Sequence, residues 1–303
     1  MIRVGTRGSP LALAQARWVA DRLSDDAELV TVTVAGDLSP ATFGASRTRQ
    51  DAKRPGDKSR WVSELERALL AGDIDLAVHS AKDVPAELAA GLELVAIPER
   101  ADPRDAICGA PSLAALAPGA RVGTSSLRRA AEIRATRADL EVVPVRGNVD
   151  TRLRKLEAGE CDALVLALAG LERLGREDAA DGVLDELVPA AGQGALALEA
   201  RAGADAARSL CDPTAWACVS AERELVRALG ASCNTPVGAH ARALGSGGGE
   251  LELTAWVGLP DGSEWMRDEL RGGPGPGLGL ALAERLATIG ARELLRASEV
   301  LMT

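Results

Sequence analysis

Short apolar runs alternate with stretches of helical spacing through the first two-thirds of the 303-residue chain. Ile2–Thr6 reads as a strand, and Ser9-Pro10 then opens a helix through about Leu23. Serine suits the N-cap there, and proline suits the first helical position, where its missing N–H costs nothing. Leu29–Val34 alternates with threonine as a second strand. Trp61–Leu70 has helical spacing, and Ile74–His79 and Leu92–Ile97 read as buried strands. A second α/β unit follows Glu99–Pro103: a short strand ending at Val122-Gly123, a helix over Ser125–Arg137, a strand over Glu141–Val145, a helix over Asn148–Glu157 and a strand over Asp162–Ala167.

Two stretches break this rhythm. Between Gly36 and Arg60 periodicity disappears among Arg47, Arg49, Lys53, Arg54 and Lys58, which reads as a long basic flap. Pro- and Gly-containing crossings near 98–103 and 190–195 are candidate hinges. Pro213–Leu229 reads as a helix stopped by Gly230. The remainder changes character: Val237–Arg242, Glu250–Val257 and Glu264–Leu270 are strand-like, with Asp261-Gly262 as a hairpin turn. After the Gly-Pro run Gly272–Gly277, one long amphipathic helix is expected from Leu278 to about Ala297. That is an antiparallel sheet with a helix, a separate α+β module.

Composition narrows the function. Hydrophobic residues make up 47%, charged residues 26% and aromatics only 2%, so the chain reads as globular and base stacking is a poor mode of action. A net charge of −9 disfavours nucleic acid as a partner. No apolar run approaches the ~20 residues that span a bilayer. The N-terminus lacks the apolar core of a signal peptide, which makes the cytoplasm the expected location. Five cysteines without a C-x-x-C pair and two histidines support neither a disulfide framework nor a metal site.

In such α/β units ligands bind beyond the carboxyl ends of strands. Arg7 and Ser9 follow the first strand; Lys82 and Asp83 follow Ile74–His79; Thr124, Ser125, Ser126, Arg128 and Arg129 follow Val122-Gly123. Arg146 and Gly147 follow the Glu141–Val145 strand, Arg152 comes one helical turn later, and Arg173 lies after Asp162–Ala167. Singly, an Arg-Arg pair is a solvated helix face, a serine an N-cap, Asp83 a turn residue and Cys233 a small buried hydrophobe. Collected at strand ends, the guanidinium groups point to a small ligand with several carboxylates or phosphates. Asp83 is a carboxylate among cations, suited to stabilising a cationic intermediate or accepting N–H hydrogen bonds.

The segments Val4–Ala12, His79–Pro85, Val122–Arg129, Arg146–Arg152 and Gly192–Ala195 resemble, in order, those of hydroxymethylbilane synthases (porphobilinogen deaminases). The resemblance runs from about residue 2 to about residue 300. It implies two α/β domains like those of periplasmic binding proteins, facing across a cleft, plus a C-terminal α+β domain with a three-stranded antiparallel sheet. The domains would be 1–98 with 195–214, then 99–194, then 215–303.

It also implies a dipyrromethane cofactor in thioether linkage to Cys233, and porphobilinogen as substrate. Four units would join in sequence with loss of ammonia, and hydroxymethylbilane would be released by hydrolysis and passed to uroporphyrinogen-III synthase. Asp83 would stabilise the azafulvene-like cation. Arg7, Ser9, Gln15, Lys82, Thr124, Ser126, Arg128, Arg129, Arg146, Gly147, Arg152 and Arg173 would hold acetate and propionate groups, with Lys58 and Trp61 on the flap. A monomer is the default.

The chain departs from the family pattern at Val34-Ala35-Gly36-Asp37, in the length of the 36–60 loop, and at Ala231-Ser232 before Cys233. A solute-binding module would leave Cys233 and the third domain unexplained. A paralogue that binds pyrroles without joining them would need neither Asp83 nor Cys233.

Overall fold

The computed structural model describes residues 1–23, 26–32, 59–231, 235–245 and 249–301, without the side chains of 59–63. The chain opens with β1 (Ile2–Thr6), α1 (Pro10–Leu23), β2 (Ala27–Thr31), α2 (Ser59–Ala71), β3 (Leu76–Ser80) and β4 (Leu92–Ala96). Next come β5 (Asp105–Cys108), β6 (Arg121–Gly123), α3 (Leu127–Thr136), β7 (Glu141–Val143), α4 (Val149–Glu157), β8 (Ala163–Ala167), α5 (Leu168–Glu172) and β9 (Gly182–Leu184). Then follow β10 (Leu196–Arg201), α6 (Pro213–Leu229), β11 (Val237–Leu244), β12 (Glu250–Gly258), β13 (Trp265–Gly272), α7 (Leu278–Thr288) and α8 (Ala291–Leu301).

These strands form three sheets, ordered β2-β1-β3-β10-β4, β7-β6-β8-β5-β9 and β11-β12-β13. The first two are built alike. In the first, β1 runs parallel to β2 and β3, while β10 is antiparallel to both its neighbours. In the second, β6 runs parallel to β7 and β8, while β5 is antiparallel to β8 and β9. Each antiparallel strand is the one delivered by a crossing from the other sheet: residues 97–104 bring in β5, and residues 185–195 bring in β10. The third sheet is wholly antiparallel.

Alternation along the central strands explains the layering. Leu76 and Val78 of β3 pack with Ala16 and Val19 of α1. Ala77 faces the opposite core with Leu65 and Leu69 of α2. In β8, Ala163 and Val165 pack with Ile133 of α3, and Leu164 and Leu166 with Val145 and Leu171. Strands buried on both faces read as continuous apolar runs, which is why they were visible in the sequence.

Caps and turns follow the sequence closely. Ser9 Oγ accepts from Ala12 N at 3.3 Å ahead of Pro10, and Asp212 accepts from Ala215 N at 2.6 Å ahead of Pro213. Gly230 closes α6 at φ 68°, a left-handed conformation that suits glycine. Three expectations are corrected and two strands, β5 and β9, are added. The long C-terminal helix is two, α7 and α8, broken at Gly290 (φ 101°). The short strands β5 and β9 lack enough residues to announce themselves by periodicity. The Leu29–Val34 strand begins earlier, at Ala27, and β2 ends at Thr31. The flap stretch ends before Arg60, because Ser59 and Arg60 already belong to α2; residues 33–58 lie outside the described ones.

The crossings and α6 fasten the three sheets together. Ala101 N donates to Gly194 O at 3.2 Å, and a Cβ on Gly194 would stand 2.4 Å from the Ala101 carbonyl oxygen. Helix α6 packs Ala215 and Val219 on Ile97 and Ala197 near the first sheet, and Leu225 and Leu229 on the third. Between them sits Glu222, fully buried. It accepts from both terminal nitrogens of Arg100 (2.6 and 3.2 Å), from Gly192 N at 2.6 Å and from Ala241 N at 2.8 Å. One carboxylate thus joins both crossings to β11.

Removing one member of a buried ion pair leaves the other charge uncompensated, at a cost of about 3–5 kcal/mol. Glu222→Ala is therefore expected to lower stability by about that amount in urea unfolding followed by circular dichroism. A loss below about 1 kcal/mol would show that Arg100 and the two amides find other partners.

Candidate functional site

The residues at the strand ends fall into two electrostatic classes. The first is a buried network at the start of β5. Asp105 is fully buried and accepts from Arg128 Nη2 at 2.7 Å, Arg129 Nε at 3.0 Å and Gln193 Nε2 at 2.7 Å. Burial alone would raise the Asp105 carboxyl, but Arg128 and Arg129 together outweigh it and hold it well below the usual carboxylate range. Arg128 also donates to Glu132 Oε2 at 3.0 Å and to Val188 O at 2.7 Å. Arg129 reaches Val165 O and Gln193 Oε1, each at 3.3 Å. Both guanidiniums are buried, not solvated on a helix face. Burial pushes the Glu132 carboxyl up to about 8, against the Arg128 charge.

The second class consists of guanidiniums without an acid partner among the described residues. Arg152 donates Nε to Gly147 O at 2.8 Å; burial, then the facing charge of Arg129, lowers its pKa. Arg173 donates to Gly194 O at 2.6 Å, and burial pushes it down to about 10. Arg146 is exposed. Gly147 stands at φ 122°, where a Cβ would lie 2.7 Å from the Thr151 methyl, so the chain can turn there only without a side chain. Asn148 then caps α4 by accepting from Thr151 N at 2.9 Å.

The first sheet contributes from the other side. Lys82 and half-buried Asp83 lie in a single 3-10 turn directly after β3, and Lys82 Nζ reaches Gln193 Oε1 at 3.3 Å. Arg223 of α6 holds the chain just after Asp83, donating to Val84 O at 3.1 Å and Pro85 O at 2.7 Å. Arg7 is half-buried after β1, Ser9 caps α1, and Gln15 is buried on α1. Leu11 of α1 approaches Gly170 of α5, whose Cβ would stand 3.9 Å from Leu11 Cδ2, so the two units meet beside these residues. Thr124 is buried and accepts from Ser126 N at 3.2 Å, and Ser126 caps α3.

Trp61 lies in α2, but its side chain, like Lys58 and Cys233, lies outside the described residues. Cys108, Cys161 and Cys218 are buried and Cys211 half-buried, all free thiols. Sequence reasoning passed over Asp105, Glu132, Gln193 and Glu222 as site-forming groups. A signal existed for Glu222, an acid on the apolar stripe Ala215, Cys218, Val219, Leu225 and Leu229. Asp105 opens a four-residue strand too short to show that its acid points inward. A cavity of about 580 Å³ lies between the first crossing, the start of α6 and β11, lined by Arg100, Arg104, Cys218 and His240 among others. None of the strand-end residues lines it.

Comparison with known proteins bears on the whole chain. A family model described as porphobilinogen deaminase, dipyromethane cofactor binding domain, matches residues 2–209. One described as porphobilinogen deaminase, C-terminal domain, matches residues 216–288. A porphobilinogen deaminase of Roseiflexus castenholzii is 46% identical, covering 97% of this chain and 98% of its own. Those of Deinococcus deserti and Thermus thermophilus are 44% and 45% identical, covering 98% and 97% of this chain and 98% of each relative. Among solved structures, immunogenic lipoprotein A from Vibrio vulnificus covers 69% of this chain and 92% of its own at 15% identity and a TM-score of 0.41, a likeness too loose to build on.

Glu132 gives the network a pH signature. Its folded pKa, about 8, lies above its ordinary value of 4.5, so the folded state holds the proton more tightly. The associated stability is present below about pH 4.5 and lost as pH rises through about 8. Wild-type stability is therefore expected to fall between pH 5 and 8 more steeply than that of Glu132→Gln, measured by urea midpoint. Parallel curves for the two proteins would remove Glu132 from the titrating groups.

Proposed function

The chain belongs to the porphobilinogen deaminase family, and on that premise we propose that its acid-free guanidiniums hold the carboxylates of porphobilinogen and of the dipyrromethane cofactor. The enzyme is a transferase that joins four porphobilinogen molecules with loss of four ammonia and releases hydroxymethylbilane by hydrolysis. The observation that supports the residue assignment is the pair Arg152 and Arg173: each is half-buried, and among the described residues each donates to a backbone carbonyl and to no carboxylate. A desolvated guanidinium without a counter-ion is costly and is relieved by a bound carboxylate. The donor set fits a group bearing several carboxylates, as the cofactor does.

Arg146, Arg152 and Arg173 would bind acetate and propionate groups from the second sheet, with Lys82, Arg7, Ser9 and Gln15 from the first. Ser126 and Thr124 set the start of α3, so that Arg128 and Arg129 enter the core at a fixed angle. When bound, the dipyrromethane supplies the electron-rich pyrrole carbon at which chain growth begins. Asp83 stabilises the cation left when the aminomethyl carbon–nitrogen bond of porphobilinogen breaks and ammonia departs. Its carboxylate also accepts pyrrole N–H groups and so orients the ring. Arg223 acts through the backbone, holding residues 84–86 behind Asp83.

Cys233 is the proposed attachment point. Each sheet with its helices forms one domain in this reading, 1–98 with 195–214, 99–194 and 215–303, with hinges near 98–103 and 190–195. No helix among the described residues is long and apolar enough to cross a membrane. The reading extends to a cytoplasmic monomer whose product passes to uroporphyrinogen-III synthase.

Intact mass spectrometry of protein from a haem-competent host is the test. Wild type is expected to carry two covalent pyrrole units, Cys233→Ser none, and Asp83→Ala to fold while its turnover falls at least 100-fold. An unmodified wild type that stays unmodified with porphobilinogen would contradict the attachment. Near-normal turnover in Asp83→Ala would remove Asp83 from catalysis.

A further inference from the structure

We propose that Gln193 is a positioning residue that holds Lys82 of the first sheet beside Arg129 of the second at one carboxylate-binding point, adding no charge of its own. The inference rests on the reading of Lys82 and the arginines as carboxylate binders. Gln193 is almost fully buried on the second crossing, three residues before β10. Its amide nitrogen donates to Pro103 O and to Asp105 Oδ1, both at 2.7 Å. With both N–H positions directed at acceptors, the side-chain carbonyl can only point the other way. There it accepts from Lys82 Nζ and from Arg129 Nη2, each at 3.3 Å.

The chemistry of the residue type matters. A carboxylate at this position would form a salt bridge to Lys82 and would set a second negative charge against Asp105, which already pairs with Arg129. An apolar side chain would leave half-buried Lys82 and buried Arg129 without their shared acceptor. An amide alone both donates to the acid and accepts from the two cations while carrying no charge. Lys82 adjoins Asp83, and Arg129 faces Arg152, so the bridge lies between the groups assigned to chemistry and those assigned to carboxylate binding. Because Lys82 and Arg129 belong to different sheets, the bridge forms only in this relative arrangement of the two. The 3.3 Å contacts are long for charge-assisted bonds, so they can yield to a substrate carboxylate.

The test is steady-state kinetics on holoenzyme. Gln193→Met keeps length and burial but removes the acceptor together with the N–H donors to Pro103 O and Asp105; it is expected to raise KM for porphobilinogen at least fivefold, with kcat changed less than threefold. A merely structural role would lower the melting temperature and leave KM within twofold, and that result would overturn the proposal. If Gln193→Met does not fold, the side-chain amide of Gln193 in wild-type holoenzyme is read by NMR. Slow exchange of both N–H protons, with a resonance shift in Lys82→Met, is expected; exchange at the free rate would overturn it. Lys82→Met and Arg152→Met report on the underlying reading: if neither raises KM, carboxylate binding fails, whereas if both do and Gln193→Met does not, only Gln193 loses its role.

Discussion

Asp105 meets Arg128, Arg129 and Gln193 at the point where the first crossing becomes β5, and much of the molecule is arranged around that contact. A buried carboxylate needs compensating charge and donors. Here they come from the first turn of α3 and from the second crossing. The same contact sets the direction of α3, keeps Arg129 against Gln193, and ties together the two strands exchanged between the sheets. Glu222 repeats the device one layer away, binding both crossings to β11. The crossings are thus short extended segments pinned by two acids, with glycine required at 194 for their close approach.

Sorting the arginines by partner separates architecture from binding. Arg3, Arg104, Arg121 and Arg137 each pair with an aspartate at or near the surface, all but Arg121 with Nε and Nη2 together on one carboxylate. Such pairs contribute little individually. Arg100, Arg128 and Arg129 pair with buried acids and organise the crossings. Arg146, Arg152 and Arg173 have no acid partner among the described residues, and they are the ones proposed to bind a substrate rich in carboxylates. In a chain with net charge −9, three guanidiniums without an acid partner among the described residues are a local electrostatic feature that net charge alone conceals.

Much of this was legible from residues alone. The apolar runs of β3 and β8, the Ser9-Pro10 helix start and the Gly230 stop all rest on local rules, and they appear within two residues of where those rules put them. What escaped were features decided by distant partners. β5 and β9 hold four and three residues, and their place in the sheet is set by pairing across the domain. Gly290 interrupts an apolar stripe that periodicity alone carries straight through. Arg128 and Arg129 read as cationic, but that their first obligation is to Asp105 and Glu132 depends on a crossing that no local pattern reveals.

Hydrogen–deuterium exchange on Asp105→Asn holoenzyme beside wild type tests this dependence most directly. The substitution keeps the shape and removes the charge that Arg128 and Arg129 share. Faster exchange is expected both at residues 126–130, where α3 begins, and at residues 190–195 of the second crossing, with β1 and β3 unchanged. Wild-type protection at both places would contradict the claim that the Asp105 contact holds the site and its crossings together.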